Sequence, residues 1–170
     1  MNVIIRPETP ADISAIDQVN QRAFNRENEA RLVDNLRNHG AVILSLVAEM
    51  DDRIIGHILF SPVTISNADC DWQAVGLAPM AVLPEFQNRG IGSALIRAGL
   101  ADLKQRGHAV VIVLGHPEYY PRFGFRPAQP LGIRWERDVP TDVFMLTELT
   151  PDALQGRRGV VRYHPAFEDV

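Results

Sequence analysis

The chain has 170 residues, 46% hydrophobic and 22% charged, an ordinary globular composition that excludes disordered, collagen-like and mucin-like classes. Seventeen Lys plus Arg against 21 Asp plus Glu give a formal net charge of -4, so no nucleic-acid partner is expected from overall charge. Cys70 is the single cysteine, which rules out an intrachain disulfide framework and any zinc site built on several thiolates. Met1 to Pro7 carries Arg6 and no apolar core of signal-peptide length, and no apolar run approaches the roughly 20 residues of a membrane span. A cytoplasmic protein with no membrane association is the expectation.

Asn2 to Arg6 has the pattern of a first strand. Thr9 as N-cap, Pro10 at the first helical position and Asp12 at the positive end then open a helix reaching about Phe24. Asn28 opens a second helix, Glu29 to His39, with Leu32, Val33 and Leu36 on one face and Gly40 as its stop. Ala41 to Met50 and Ile54 to Ile65 are apolar runs joined by Asp51-Asp52, which predicts a hairpin. Pro62 points to an edge or a bend. Trp72 to Leu83 is another strand, and Gly76 and Pro79 within it signal a local interruption.

From Gly90 to Arg106 the apolar residues Ile91, Leu95, Ile96, Leu100 and Leu103 recur at helical spacing, with Gly107 as the stop. His108 to Leu114 follows as a buried strand parallel to the one before the helix. Pro117 to Pro121 is a short helical or turn segment, and Val143 to Leu149 and Val160 to Tyr163 are weaker strands. No repeat or linker divides the chain. A domain over residues 1–150 with residues 151–170 as an extension packed on it is the expected organisation.

The stretch Gln87-Asn88-Arg89-Gly90-Ile91-Gly92-Ser93 lies between a strand and this helix. Two glycines allow close approach of backbone amides, and these amides with the helix's positive end form an anion site suited to a pyrophosphate. No Gly-Lys-Ser/Thr follows, so it is not a Walker loop. Nor does it carry the third glycine of the dinucleotide fingerprint. Taken alone, a plain strand-to-helix turn accounts for it equally well.

Leu77-Ala78-Pro79-Met80-Ala81-Val82-Leu83-Pro84, then Gln87-x-x-Gly90-x-Gly92, then Tyr120-x-x-x-Gly124-Phe125 occur in that order. Together they resemble the GCN5-related N-acetyltransferase (GNAT) superfamily, from about Val3 to Leu149. The run Gly115 to Phe125 is similar to its YhbS-like bacterial subgroup. The resemblance implies an α/β fold: a mixed, mostly antiparallel sheet of about six or seven strands, splayed between two central parallel strands, with helices on both faces. It implies acetyl-CoA as cosubstrate, with Met80, Ala81 and Val82 of a bulged strand meeting the pantetheine and Gln87, Asn88, Arg89, Gly90, Ile91, Gly92 and Ser93 meeting the pyrophosphate. The activity implied is transfer of acetyl directly to a primary amine of a small molecule or peptide in a ternary complex.

The resemblance also places Tyr120 as the catalytic proton donor to the leaving thiolate, chemistry suited to a phenol whose ordinary pKa is about 10; a packing aromatic is the alternative. The amide of Val82 is a candidate donor to the thioester oxygen. Glu29, Glu49, His57, Glu85, His116 and Glu118 are all candidates for the base, and no spacing selects one. His116 stands where the subgroup often has an acid, and the Asn that many relatives carry near the end of this strand is absent. The five histidines show no metal-ligand spacing, so no metal is expected. A sensor module that binds acetyl-CoA without catalysis, and a transferase of longer acyl groups, remain alternatives. The region Phe24 to Gly40, with Arg26, Glu27, Glu29, Arg31 and Arg37, together with the loops after Phe125, is expected to shape the acceptor pocket, and homodimerisation, common in the family, would involve Leu131 to Leu149.

Overall fold

The structure, a computed structural model, describes residues 2–168. Met1, Asp169 and Val170, the outermost residues of the two segments expected from the sequence, lie outside the described residues.

Strand β1, Ile4–Pro7, leads through a 3-10 turn at Pro10–Asp12 into helix α1, Ile13–Phe24. Asp12 does not simply sit at the helix's positive end. It accepts from the Thr9 N–H at 2.7 Å and from both terminal nitrogens of Arg6 at 2.7 and 3.0 Å. The Arg6 guanidinium, with the Thr9 bonds, holds the carboxyl well below the usual carboxylate range despite its burial. Asn25, with φ 53°, ends α1 in the left-handed conformation that asparagine tolerates. Helix α2, Asn28–Asn38, follows.

Strands β2, Leu44–Met50, and β3, Arg53–Ser66, form the expected hairpin. Asp51 and Asp52 both have positive φ, 50° and 60°, the paired left-handed geometry of a tight primed turn. Neighbouring residues of β3 point to opposite sides. A Cβ on Gly56 would stand 3.1 Å from Leu95 of helix α3, Ile91–Gln105, whereas the His57 ring meets Asn20 of α1 at 3.1 Å. Helices therefore cover both faces of the sheet, and β2 is buried over most of its length.

Pro62 is not on an edge. It pairs with Val75 of strand β4, Asp71–Val82. On the other side, Leu44, the first residue of β2, lies opposite Phe60, and Tyr163, the last residue of strand β9, Gly159–Tyr163, lies opposite Val63. The proline, which has no N–H to give, falls at the seam between two successive neighbours.

Strand β5 is Val110–Leu114 and β8 is Phe144–Glu148. Two very short strands escaped the sequence reading, β6 at Arg126–Pro127 and β7 at Ile133–Trp135. Among the described residues the sheet has nine strands in the order β1-β2-β3-β4-β5-β8-β6, with β9 joining β3 to β7. It is mixed and mostly antiparallel; the parallel pairs are β4 with β5 and β7 with β9. No helix is long and apolar enough to cross a membrane among the described residues.

Candidate active site

The two central parallel strands touch only briefly. β4 and β5 are in register at Val75–Val111 and Gly76–Ile112, after which β4 runs on to Val82 and β5 to Leu114 without pairing. The cause is visible in β4 itself. Its register with β3 shifts between Phe60–Leu77 and Ile58–Met80, which leaves Ala78 and Pro79 as an extra step; such a bulge bends its strand and re-aims the residues beyond it. Proline cannot donate to a ladder, so the interruption expected at Pro79 falls at the splay. Gly76 has another reason: a Cβ there would lie 2.9 Å from Val63 and 3.1 Å from Tyr163.

The gap opens into a cleft of about 940 Å³. One wall is the free edge of β4. Leu83 donates its N–H to the Ile55 carbonyl at 2.9 Å, and in an antiparallel ladder alternate residues face the same way. The main-chain groups of Ala81 thus serve β3, while those of Met80 and Val82 face the cleft. The Val82 carbonyl already accepts from Gln87 Nε2 at 2.9 Å, which leaves the Val82 N–H and both Met80 groups directed at the gap. Gln87 is a clasp between the loop and the bulged strand, a side-chain role that its place in the motif did not reveal.

The second wall is the start of α3. Ala94 is the first residue to bond back into the helix, to Gly90 O at 2.9 Å, so the amides of Gly90, Ile91, Gly92 and Ser93 have no acceptor within it. Asn88 and Gly90 both have positive φ, 59° and 81°, and both line the cleft with Ile91, Gly92 and Ser93. Gly92 is required by proximity: a Cβ there would meet Tyr119 Oη at 3.0 Å and Met80 Sδ at 3.2 Å. Four converging N–H groups at the positive end of a helix form an anion cradle.

The third wall follows β5. Leu114, Gly115, His116, Tyr119, Tyr120 and Arg122 line it. A 3-10 turn at Tyr120–Phe123, ended by Gly124 with φ 89°, turns the chain and buries Tyr120 to 7% exposure. Its ring packs edge-on against Tyr119 and Phe125, centroids 5.3 and 5.6 Å apart. Burial, and to a lesser degree Tyr119, push the Tyr120 phenol well above its ordinary value, so it stays protonated at neutral pH. The ring of Tyr119 is covered by Arg122, and its hydroxyl approaches Ser93 at 3.4 Å. The aromatic segment is thus partly packing and partly cleft surface.

The last wall is mainly helical, with Ala23 and Phe24 of α1, Glu29 and Leu32 of α2, and Arg26 of the turn between them. Phe24, Arg26, Glu29 and Leu32 fall in the region expected to shape the acceptor pocket, whereas Ala23 carried no such signal.

The structure gathers Met80, Ala81, Val82, Gln87, Asn88, Gly90, Ile91, Gly92, Ser93 and Tyr120 around one cleft. Arg89 is not on its wall; its guanidinium lies over the Phe86 ring, 5.6 Å from the centroid. The candidate bases separate sharply. Glu29 and His116 line the cleft. Glu49 faces a different cavity, of about 490 Å³, with Arg6 and Asp12. Glu85 is held at the surface by Arg22 and Arg53, and Glu118 is exposed. His57 is wholly buried, between Asn20 Nδ2 at 3.1 Å and Ser45 Oγ at 2.9 Å. Among the described residues, no group of His, Cys, Asp and Glu is arranged to hold a metal ion.

Residues 4–128 match the acetyltransferase (GNAT) domain family, and the chain belongs to it. Over 166 residues it is 39% identical to the uncharacterized N-acetyltransferase YhbS of Escherichia coli K12, spanning 97% of this chain and 98% of that protein. The crystal structure of YhbS from E. coli, solved in complex with CoA, superposes with a TM-score of 0.93 at 38% identity, covering 99% of this chain and 93% of that one. A GNAT family acetyltransferase from Brucella melitensis, crystallised with acetyl-CoA, gives a TM-score of 0.80 at 40% identity, with 98% of each chain covered.

Proposed function

We propose that this N-acetyltransferase takes acetyl from acetyl-CoA and passes it directly to a primary amine while both are bound. The observation that carries this is the convergence in one cleft of the anion cradle at the start of α3, the free edge of β4 and the buried phenol of Tyr120. CoA in the E. coli relative and acetyl-CoA in the Brucella relative support it. The amides of Gly90 to Ser93 receive the pyrophosphate. The outward groups of Met80 and Val82 receive the amide-bearing pantetheine arm as a strand would.

The Val82 N–H is the donor placed to stabilise negative charge growing on the thioester oxygen. The amine nitrogen forms a bond to the acetyl carbon, the carbon–sulfur bond breaks, and Tyr120 gives its proton to the departing sulfur. The proton shed by the nitrogen passes to water or to His116 on the cleft wall, from which the Tyr120 phenolate is reprotonated. Burial keeps that phenol in its proton-bearing form. Strand β9, seated against β3 and β7, supports treating residues 151–170 as an extension of the same unit as residues 1–150.

Titration calorimetry with acetyl-CoA, CoA, desulfo-CoA and NAD tests the reading, on the wild type and on Gly90→Asp. Binding of the CoA ligands alone, weakened in the variant by an anion set in the cradle, is the expected result. Absence of CoA binding by the folded wild type would overturn it and return residues 87–93 to a plain strand-to-helix turn.

A further inference from the structure

The helical wall of the cleft carries a charge arrangement that the transfer chemistry does not use. Arg26 and Glu29 form an ion pair in which Arg26 Nε donates to both carboxylate oxygens, at 3.1 and 3.0 Å, and Nη2 donates to Oε1 as well. Glu29 is the one carboxylate on the cleft wall among the described residues. Its side chain is 13% exposed, whereas that of Arg26 is 59% exposed. The same cleft is lined by Phe24 and, on the wall that follows β5, by Leu114, at 37% and 43% exposure, two of the large apolar side chains left open.

The chemistry of this wall selects among amines. An acceptor that is only a cation meets a carboxylate already neutralised by arginine. A polyamine, with several charges to place, finds a single carboxylate. A molecule with an ammonium and a carboxylate on adjacent positions matches both: the ammonium donates to Glu29, and Arg26 donates to the carboxylate in the forked geometry it favours. Its remaining part meets Phe24 and Leu114, whose burial by an apolar group is favourable. On the reading that this cleft is a transferase site, we infer that the acceptor is a free α-amino acid with an apolar side chain, gripped at its charged end by Arg26 and Glu29.

The test compares kcat/KM for L-phenylalanine, L-leucine and L-methionine with that for 2-phenylethylamine, L-phenylalaninamide and spermidine, in the wild type and in Arg26→Ala. Acetyl-CoA binding is measured on the same samples. The amino acids are expected to exceed the amine and the amide by about tenfold or more, the scale of one hydrogen bond between charged groups. That preference should collapse in Arg26→Ala, whose side chain is largely exposed and not part of the core. Equal or better turnover of the amine, amide or spermidine, a preference that survives Arg26→Ala, or no turnover of any amino acid while acetyl-CoA still binds would each overturn the inference and leave the transferase reading standing. Failure to bind acetyl-CoA would instead remove the transferase reading on which it rests.

Discussion

Gly115 and Tyr120 are in such close contact that a Cβ on the glycine would stand 2.2 Å from Cε2 of the tyrosine ring. The last turn of chain before the cleft thus fixes the phenol by leaving no room beside it. Gly115→Ala must displace the ring, because the new carbon sits on backbone that is bonded to Val143 O at 2.9 Å. Overpacking of this kind costs about 1–3 kcal/mol, and turnover should fall with it. In a Tyr120→Ala background the same change should cost much less stability, since the clash is gone; equal costs in the two backgrounds, read by denaturant unfolding, would refute the contact.

Tyr120→Phe removes the proton and keeps the ring. A group that donates a proton in the transition state is worth about 10²–10⁴-fold, so kcat should drop by that order while acetyl-CoA affinity changes far less. Steady-state rates and calorimetry on one preparation decide it. A variant with undiminished kcat would reduce Tyr120 to a packing aromatic.

Acid should destabilise the protein through His57. Burial, with a smaller contribution from the Arg37 charge, lowers its pKa from 6.5 to about 3. The folded state therefore stays neutral where the unfolded chain takes up a proton, and stability is lost as pH falls below about 6.5. The slope approaches about 1.4 kcal/mol per pH unit. Asn20 Nδ2 also donates to Ile16 O at 3.0 Å, which orients the amide so that His57 Nδ1 accepts and Nε2–H donates to Ser45. Urea unfolding from pH 7.5 to 5 should show the decline, and His57→Gln should flatten it. A His57 imidazole, assigned by its loss in His57→Gln, that titrates near 6.5 by NMR in the folded protein would contradict it.

Gly99 sits on α3 where a Cβ would be 2.5 Å from two carbons of the Phe60 ring. Alanine is the better helix former by about 1 kcal/mol, yet Phe60 is fully buried and has nowhere to retreat. The clash outweighs propensity, so Gly99→Ala should lower stability by about 1–2 kcal/mol. A thermal melt at or above that of the wild type would show that the interface between α3 and β3 has slack.

The long elements were legible because each announces its own period. Ile91, Leu95, Ile96 and Leu103 mark α3, and all four are buried. The Asp51-Asp52 turn is local chemistry and is found as expected. Arg126–Pro127 and Ile133–Trp135 are too short to show any period and become strands only through their partners. Pro62 misleads when read alone, because the seam it occupies is made by β2 and by β9, which lies about 100 residues further on and comes beside β3 only through the fold. The glycine loop was legible as motif. The wall carrying Phe24, Arg26 and Glu29 was legible only as a region, Phe24 to Gly40, because helix packing rather than spacing decides which of its side chains reach the cleft.

The free edge of β4 has a consequence for how the two ends of the cleft can change. Along Met80 to Val82 a ligand would be met by main-chain groups, which stay the same whatever side chains stand there, and the Ala81 and Val82 side chains are buried in the core. Across the cleft, a ligand would be met by the side chains of Phe24, Arg26 and Glu29, at the facing ends of α1 and α2 and in the turn between them. On the proposed reading, donor selection would be tied to the path of the backbone, and acceptor selection to a few replaceable groups. A new acceptor specificity can arise by substitution on the helical wall while the grip on the donor is left intact.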